Sequence, residues 1–117
     1  MMIELYGLKN CDKCRAASKW LAANGIKHRQ LDVRESPPSE NTLRLWKNEL
    51  GWETMVNKRS TTWKGLNESE QDSLNEDKAI ALLLAHPTLL KRPVLVTDNG
   101  IYNGFTEASY NNIFTKA

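Results

Sequence analysis

The two cysteines of this chain, Cys11 and Cys14, are separated by two residues and follow closely after an apolar run over residues 3–6. That position is where a first β-strand would lead into a first helix. A thiol at the start of a helix lies near unpaired backbone N–H groups and the positive end of the helix dipole, and both favour the reactive thiolate. The second cysteine is about one helical turn away, within reach of a mixed disulfide on the first. The spacing therefore predicts redox chemistry on a fold in which a strand directly precedes a helix.

Length and charge exclude several classes of protein. The 117 residues favour one domain spanning 1–117, and a net charge of +2 with both signs interleaved gives no electrostatic case for nucleic acid or a membrane surface. The N-terminus has no basic region followed by a long apolar one, and no stretch approaches the roughly eighteen apolar residues of a membrane span. We therefore predict a cytoplasmic protein, where a Cys-x-x-Cys pair is more often catalytic, sensing or metal-binding than a structural disulfide.

The first third of the chain is predicted to form a β-α-β unit. Residues 3–6 give the first strand, and residues 12–24 give a helix with apolar residues at helical spacing and Gly25 as its stop. Residues 26–33 are a second strand candidate. A strand, a helix and a strand within about thirty residues imply parallel pairing and a right-handed crossover.

Parts of the middle of the chain are predicted to be helical, whereas residues 52–65 show no clear period. Ser39 is the expected N-cap of a helix through residue 50, and Asn67 with Glu70 resembles a capping box. A further helix is predicted over residues 77–85. Its expected inward-facing residues are Ile80, Leu83 and Leu84.

The last part is predicted to form a β-hairpin followed by a helix. Residues 89–97 form the first strand, Asp98-Asn99-Gly100 the turn, and residues 101–103 the returning strand. A final helix carries Ala108, Ile113 and Phe114. The whole order predicts an α/β thioredoxin-like fold: a mixed four-stranded sheet, β-α-β then β-β-α, with a helical insertion between the halves.

Six segments spread over nearly the whole chain carry a resemblance to known proteins. They are Leu5-Tyr6-Gly7, Asn10-Cys11-Asp12-Lys13-Cys14, Asn57-Lys58-Arg59-Ser60-Thr61-Thr62-Trp63, Leu82-Leu83-Leu84-Ala85-His86-Pro87, Lys91-Arg92-Pro93-Val94-Leu95-Val96 and Gly104-Phe105. Together they resemble the ArsC/Spx family, and most closely its YffB-like branch. The resemblance implies a thioredoxin-like frame with an inserted helical part. It also implies, for the enzymatic members, a nucleophilic first cysteine with glutathione or glutaredoxin as the electron source.

One class within this family, the glutaredoxin-coupled arsenate reductases, uses one cysteine and three arginines that hold the oxyanion. Cys11 and Arg92 match the cysteine and one arginine, whereas Asn57 and Gly104 stand at the other two positions. Each lost charge-assisted contact removes roughly 1.5–3 kcal/mol. Arg59, two positions away, could still reach inward. The resemblance therefore makes arsenate a less favoured substrate without removing it.

Two other classes match better. Spx-type regulators bind the RNA polymerase α subunit and use a Cys-x-x-Cys as a disulfide switch, and Cys11 and Cys14 match that pair. YffB-like members resemble this chain at Gly51-Trp52, Asn57 and Thr61-Thr62, and they are proposed to be glutathione-dependent thiol reductases. Many of them have only the first cysteine, so Cys14 is a departure toward the regulators. Enzyme and redox-switched regulator both remain open.

Three residues are the candidate catalytic set. Cys11 is the predicted nucleophile, and Cys14 is the predicted resolving cysteine of a dithiol mechanism; a monothiol mechanism with glutathione needs only Cys11. The resemblance implies a cis peptide bond between Arg92 and Pro93, with Arg92 able to hold a carboxylate or thiolate.

The predicted ligand is glutathione as a co-substrate, with no tightly bound cofactor. Candidate substrate-binding residues are Lys9, Asn10, Asn57, Lys58, Arg59 and Pro93. No metal site is predicted, because His28 and His86 are too far apart to make a zinc-type pair. The leading hypothesis is a thiol–disulfide oxidoreductase acting on a disulfide or glutathionylated substrate.

Overall fold

The computed structural model describes residues 3–115, and their contacts divide them into two compact units. Unit 1 contains residues 3–32 and 92–115, and unit 2 contains Val33–Lys91. In chain order the elements are β1 (Glu4–Gly7), α1 (Asp12–Ala23), β2 (Arg29–Asp32), α2 (Glu40–Leu50), α3 (Trp52–Met55), α4 (Thr61–Lys64), α5 (Glu68–Gln71), α6 (Glu76–Ala85), a 3₁₀ turn (Pro87–Leu89), β3 (Val94–Thr97), β4 (Gly100–Asn103) and α7 (Glu107–Thr115). The assignment of the whole chain to one domain stays a prediction.

The strands of unit 1 form one mixed sheet in the order β2-β1-β3-β4. β1 pairs in parallel with β2, with Glu4 opposite Arg29, and antiparallel with β3, with Tyr6 opposite Val94. β3 and β4 form an antiparallel hairpin. With α1 between β1 and β2 and α7 after β4, the order is β-α-β then β-β-α. This confirms the predicted thioredoxin-like fold, and α2–α6 confirm that the insertion between its halves is helical.

Two strands, β2 and β3, are shorter than the sequence predicts, for reasons visible in the backbone. β2 begins at Arg29 because the N–H of Ile26 donates to Leu21 O at 2.9 Å and closes the end of α1. β3 begins at Val94 because Pro93 has no N–H to donate to a ladder. The predicted strand over residues 89–97 was therefore wrong in its first part.

The hairpin turn also differs by one residue from the prediction. Thr97 pairs with Gly100, so the loop is Asp98-Asn99 and Gly100 already belongs to β4. The Thr97 hydroxyl oxygen accepts hydrogen bonds from the N–H groups of Asn99 and Gly100 at 3.1 Å. The Thr97 side chain thus stabilises the turn by hydrogen bonds that the predicted turn, Asp98-Asn99-Gly100, did not include.

The core of unit 1 forms where α1 and α7 contribute side chains to the same cluster as β1 and β3. Its buried residues are Ile3, Leu5, Ala17, Leu21, Leu95 and Tyr110, with Trp20, Ile26, Tyr102, Phe105, Ile113 and Phe114 packed against them. Ala17 and Leu21 lie on one face of α1, three and seven residues after Cys14, which is also buried. Cys14 therefore anchors the Cys-x-x-Cys pair in the core.

The helices of unit 2 begin where the sequence predicts caps. Ser39 Oγ accepts from the N–H of Thr42, and Asn67 and Glu70 form a reciprocal capping box. The capping box opens only one turn, α5. Between α2 and α6, Arg44 reaches the carboxylates of Glu40, Glu76 and Asp77.

The inward face of α6 was predicted wrongly at one position. Ile80 and Leu83 are buried as expected, but Leu84 is 40% exposed and Leu82 is buried in its place. The buried arc of the helix is centred on Ala79 and Leu83, which are one turn apart, and Leu84 lies beyond its edge.

Candidate functional site

The loop between β1 and α1 places Cys11 at the N-cap of the helix. Its backbone is extended, with φ −97° and ψ 121°, and its N–H donates to Leu8 O at 3.3 Å. Cys14 lies in the first turn of α1. Cys11 is partly exposed and Cys14 is 6% exposed, and both thiols are free. The first cysteine is therefore partly accessible to solvent, and the second is buried in the first turn of the helix.

The pKa of the Cys11 thiol lies below its usual value. Partial burial is the largest single influence and acts in the opposite direction. It is outweighed by the hydrogen bond that the Cys14 thiol donates, by the N–H groups of Cys14 and Lys13, and by the positive charge of Arg92. The side chain of Cys11 makes no capping hydrogen bond to α1, so these N–H groups act on the sulfur as dipoles. The arrangement favours a thiolate on Cys11.

The pKa of the Cys14 thiol is shifted in the opposite direction to that of Cys11. The pKa of Cys14 is raised to about 12, first by burial and then by the hydrogen bond that its thiol donates to Cys11 and by the charge on Cys11. The N–H of Leu8 and the charge of Arg92 act against this shift but are weaker. Cys14 therefore keeps its proton at neutral pH, and Cys11 is the member of the pair that ionises first as the pH rises.

Gly7, the last residue of β1, makes room for the buried thiol. A Cβ at this position would lie 2.6 Å from Cys14 Sγ and 2.9 Å from Cys14 Cβ. Any side chain would displace the first turn of α1. Gly7 lies just beyond the strand predicted over residues 3–6, and the sequence pattern did not indicate this role. A glycine at the end of a strand, just before a Cys-x-x-Cys, is the signal that would have indicated a close approach.

The peptide bond between Arg92 and Pro93 is cis, as the family resemblance implied. Pro93 is buried, and its carbonyl accepts a hydrogen bond from the N–H of Gly104 at 2.9 Å. Arg92 is half-buried, and its charge lowers the pKa of both cysteines. Arg92 thus acts electrostatically on both members of the candidate catalytic pair.

The predicted binding residues fall in both units. Lys9 and Asn10 are exposed in the β1–α1 loop of unit 1, next to Cys11, whereas Asn57, Lys58 and Arg59 belong to unit 2. Asn57 organises its own turn, because its Oδ1 accepts from the N–H of Arg59 at 3.0 Å.

Lys58 and Arg59 belong to the loop that precedes α4. The ammonium of Lys58 lies 5.5 Å from the centre of the Trp63 ring, a cation–π contact within the same loop and helix. Arg59 is exposed. The loop thus presents cations whose positions are set by local contacts.

The part of the chain that the structure describes has neither a cluster of metal ligands nor a membrane-spanning helix. Between residues 3 and 115, no three or more His, Cys, Asp and Glu side chains are grouped so that they could hold a metal ion. Over the same range, no helix has the length and apolar character needed to cross a membrane.

The pKa difference between the two thiols predicts a pH-dependent labelling pattern. Because only thiolate reacts, alkylation of Cys11 by iodoacetamide should rise with pH through a midpoint below that of a free thiol, while Cys14 stays unlabelled in the folded protein up to high pH. Peptide mass spectrometry distinguishes the two sites. Cys14→Ala removes the thiol donor and should move the Cys11 midpoint upward. A native midpoint at or above that of a free thiol would contradict the assignment.

The sheet, the N-cap thiol and the cis-proline strand define a thioredoxin-like protein with a Cys-x-x-Cys at the start of its first helix. Within that class, a family model described as the ArsC family matches residues 6–113, and the chain belongs to this family.

Individual relatives agree with this placement. The chain is 42% identical to an uncharacterised protein of Haemophilus influenzae, over 97% of this chain and 99% of that protein. It is 31% identical to the global transcriptional regulator Spx 1 of Lactococcus lactis, over 91% of this chain and 84% of that protein. It is also similar to the solved structure of a protein named YFFB, with a TM-score of 0.90 and 35% identity. The match covers 94% of this chain and 96% of the other.

Proposed function

We propose that this protein is a glutathione-dependent thiol–disulfide oxidoreductase in which Cys11 is the nucleophile. The observation that carries the proposal is the position of Cys11 at the N-cap of α1, partly exposed, with its pKa held below the usual value beside a protonated Cys14. A thiolate that is both exposed and stabilised is what attack on a disulfide requires.

The first chemical step is exchange at sulfur. The Cys11 thiolate attacks one sulfur of a mixed disulfide, forms a new S–S bond with it and releases the other sulfur as a thiolate. A glutathionylated substrate thus leaves glutathione on Cys11 and departs reduced.

Two routes complete the cycle with balanced electrons. In the monothiol route, a glutathione thiolate attacks the glutathione sulfur on Cys11, which yields oxidised glutathione and regenerates the Cys11 thiolate. In the dithiol route, Cys14 loses its proton to solvent and attacks Cys11 Sγ, which releases glutathione and forms a Cys11–Cys14 disulfide. Two further glutathione molecules then reduce that disulfide. The hydrogen bond between the two thiols supports the dithiol route, because it places Cys14 next to the sulfur it would attack.

The charges of unit 1 suit an anionic tripeptide. Glutathione carries two carboxylates and one ammonium group, and Arg92 and Lys9 supply positive charge in the same unit as Cys11. Asn10 adds an amide next to the thiol. Asn57, Lys58 and Arg59 belong to unit 2, and their part in binding glutathione stays a prediction from the sequence.

The test is NADPH consumption by glutathione and glutathione reductase with a small glutathione mixed disulfide as substrate. We expect consumption above a blank that contains all components except this protein, and a parallel reaction supplied with glutaredoxin identifies the preferred donor. Consumption equal to the blank, from protein with a native circular dichroism spectrum, would refute the enzyme.

The second candidate is a redox-switched regulator that binds the RNA polymerase α subunit. Its supporting observations are the second cysteine, hydrogen-bonded to the first, and the similarity to Spx 1. In this case oxidation forms the Cys11–Cys14 disulfide and changes partner binding. Pull-down of purified α subunit by oxidised and by reduced protein tests it, and equal binding of the two forms would rule out the switch.

Arsenate reduction is the third candidate. Gly104 stands where arsenate reductases resembling this chain have an arginine, and it has a φ of +77°, a conformation that arginine rarely adopts. We therefore expect no arsenate-dependent NADPH consumption in the glutathione-coupled assay. Consumption above the blank would restore this candidate.

A further inference from the structure

Unit 1 holds a cluster of reactive side chains that the thiol chemistry does not use. Ser18, on α1, makes hydrogen bonds with His28, just before β2, and with Gln30, within β2. Ser18 and His28 are half-buried, and Gln30 is exposed. The sequence analysis considered His28 only as a metal ligand. The cluster escaped it because ten and twelve residues separate Ser18 from its two partners.

The hydrogen bonds of His28 determine which ring nitrogen carries the proton. His28 Nδ1 lies 3.2 Å from the carbonyl oxygen of Ile26. Because a carbonyl oxygen can only accept, Nδ1 carries the proton, and Nε2 of the neutral ring keeps a lone pair. Ser18 Oγ lies 2.9 Å from that Nε2. The serine hydroxyl therefore donates to the basic nitrogen of the imidazole.

Gln30 completes a chain of hydrogen bonds through the serine. Its side-chain amide nitrogen donates to Ser18 Oγ. The chain then runs from the Ser18 hydroxyl through the imidazole of His28 to the carbonyl of Ile26. A hydroxyl that donates to a base, with the base oriented by a third group, is the arrangement that activates a serine as a nucleophile. Here a backbone carbonyl is the orienting group.

We propose that Ser18 and His28 form a catalytic site, separate from the cysteines, that hydrolyses small uncharged carboxylic esters. Ser18 Oγ attacks the carbonyl carbon of the ester, and its proton passes to His28 Nε2. His28 returns this proton to the leaving alcohol, and the acyl group remains on Ser18 Oγ. Water then attacks the acyl group while Nε2 takes a proton from it. The carboxylic acid departs, and the proton returns to Ser18.

The groups around Ser18 favour a neutral substrate. The amide of Gln30 lies at the serine oxygen and can donate to the carbonyl oxygen of the ester as that oxygen gains one negative charge. A phosphate ester is already an anion before reaction and needs cationic partners. Arg29 lies between His28 and Gln30 in the sequence, so the alternation of a strand directs it to the opposite face. There its guanidinium is 4.0 Å from the carboxylate of Glu4.

The first test is labelling of the native protein with a fluorophosphonate probe, which an activated serine attacks with loss of fluoride. Peptide mass spectrometry should find the phosphonyl group on Ser18 and not on Ser109. Ser109 is the matched comparison, because it is an exposed serine of the same unit whose hydroxyl bonds to the backbone of Thr106. His28→Gln keeps an acceptor for the Ser18 hydroxyl but removes the base, so labelling should slow at least about a hundredfold.

The second test is hydrolysis of p-nitrophenyl acetate, followed by the absorbance of nitrophenolate. It uses the Cys11→Ala/Cys14→Ala protein, because a thiolate also attacks this ester. We expect steady turnover above a blank without protein. Adding Ser18→Ala should return the rate to that of the blank, whereas adding Ser109→Ala should leave it unchanged.

Several outcomes would overturn the proposal. Native protein without a label on Ser18, or with Ser18 and Ser109 labelled equally, would show that Ser18 is not activated. Labelling of Ser18 without turnover of the ester would refute hydrolysis. Unchanged turnover in Ser18→Ala would refute the assignment of the nucleophile. If Ser18→Ala lost its native circular dichroism spectrum, His28→Gln and labelling of the native protein would decide. Thiol–disulfide exchange by Cys11 is tested separately and is unaffected by any of these results.

Discussion

Cys11→Ser should lose at least about a thousandfold of the turnover of the native protein in the glutathione-coupled assay. A serine hydroxyl has a far higher pKa than a thiol, and an alkoxide does not form a stable bond to sulfur that glutathione can exchange. The factors that favour a thiolate on Cys11, namely the Cys14 thiol, the helix N–H groups and Arg92, cannot compensate for this chemical difference. The measurement is the initial rate of NADPH consumption at saturating glutathione.

The control for Cys11→Ser is Cys14→Ser. Both variants exchange sulfur for oxygen within the same helical turn, so comparable unfolding midpoints would separate chemistry from stability. Retained turnover in Cys14→Ser indicates the monothiol route, and its loss indicates the dithiol route. Native turnover in Cys11→Ser would show that the nucleophile is misassigned.

Gly7→Ala should lower the free energy of unfolding by about 2–3 kcal/mol, at the upper end of what overpacking a core costs. The new Cβ would lie 2.6 Å from Cys14 Sγ and 2.9 Å from Cys14 Cβ. Both atoms belong to the first turn of α1, and β1 pairs with β2 on one side and β3 on the other. Moving either α1 or β1 to relieve the contact would therefore cost free energy. Urea unfolding followed by circular dichroism gives the difference.

A double mutant tests whether the contact with the Cys14 sulfur causes the loss of stability in Gly7→Ala. In Cys14→Ala the contact at 2.6 Å is absent but the one at 2.9 Å remains, so Gly7→Ala should cost less in that background without becoming neutral. Gly65→Ala is the matched control, because its φ is −83° and its nearest contacts, at 3.5 Å and 3.6 Å, are ordinary. An equal cost of Gly7→Ala with and without the Cys14 sulfur would contradict the packing argument.

The candidate site could be predicted from sequence where chemistry depends on neighbours along the chain. Cys11 and Cys14 lie three residues apart, so the position of one at the N-cap and the other in the first turn of α1 follows from the helix alone. The family resemblance added Arg92 and the cis bond to Pro93, which are about eighty residues away in the sequence. Gly7 was missed, because its importance depends on its close approach to Cys14, which no local sequence pattern indicates.

The fold, like the site, was predicted well where local interactions decide the structure and less well where distant segments do. Caps at Ser39 and Asn67 use a side chain and an N–H three residues away, so short-range hydrogen bonding was enough to predict them. The ends of the strands and the inward face of α6 were less accurate, because a strand ends where its partner stops pairing and a helix face is buried by whatever packs on it. Leu84 is apolar and in helical register, yet it is 40% exposed.

The sequence by itself determined the order β-α-β then β-β-α and the start of the first helix beside Cys11, and it predicted redox chemistry at that cysteine. These properties arise from hydrogen bonds and dipoles that act within a few residues. Only the tertiary structure decided that Cys14 is the buried, protonated member of the pair, with its pKa raised to about 12, and that Gly7 must lack a side chain. Burial and steric contact depend on segments distant in the chain, so they exist only once the sheet and its helices have packed.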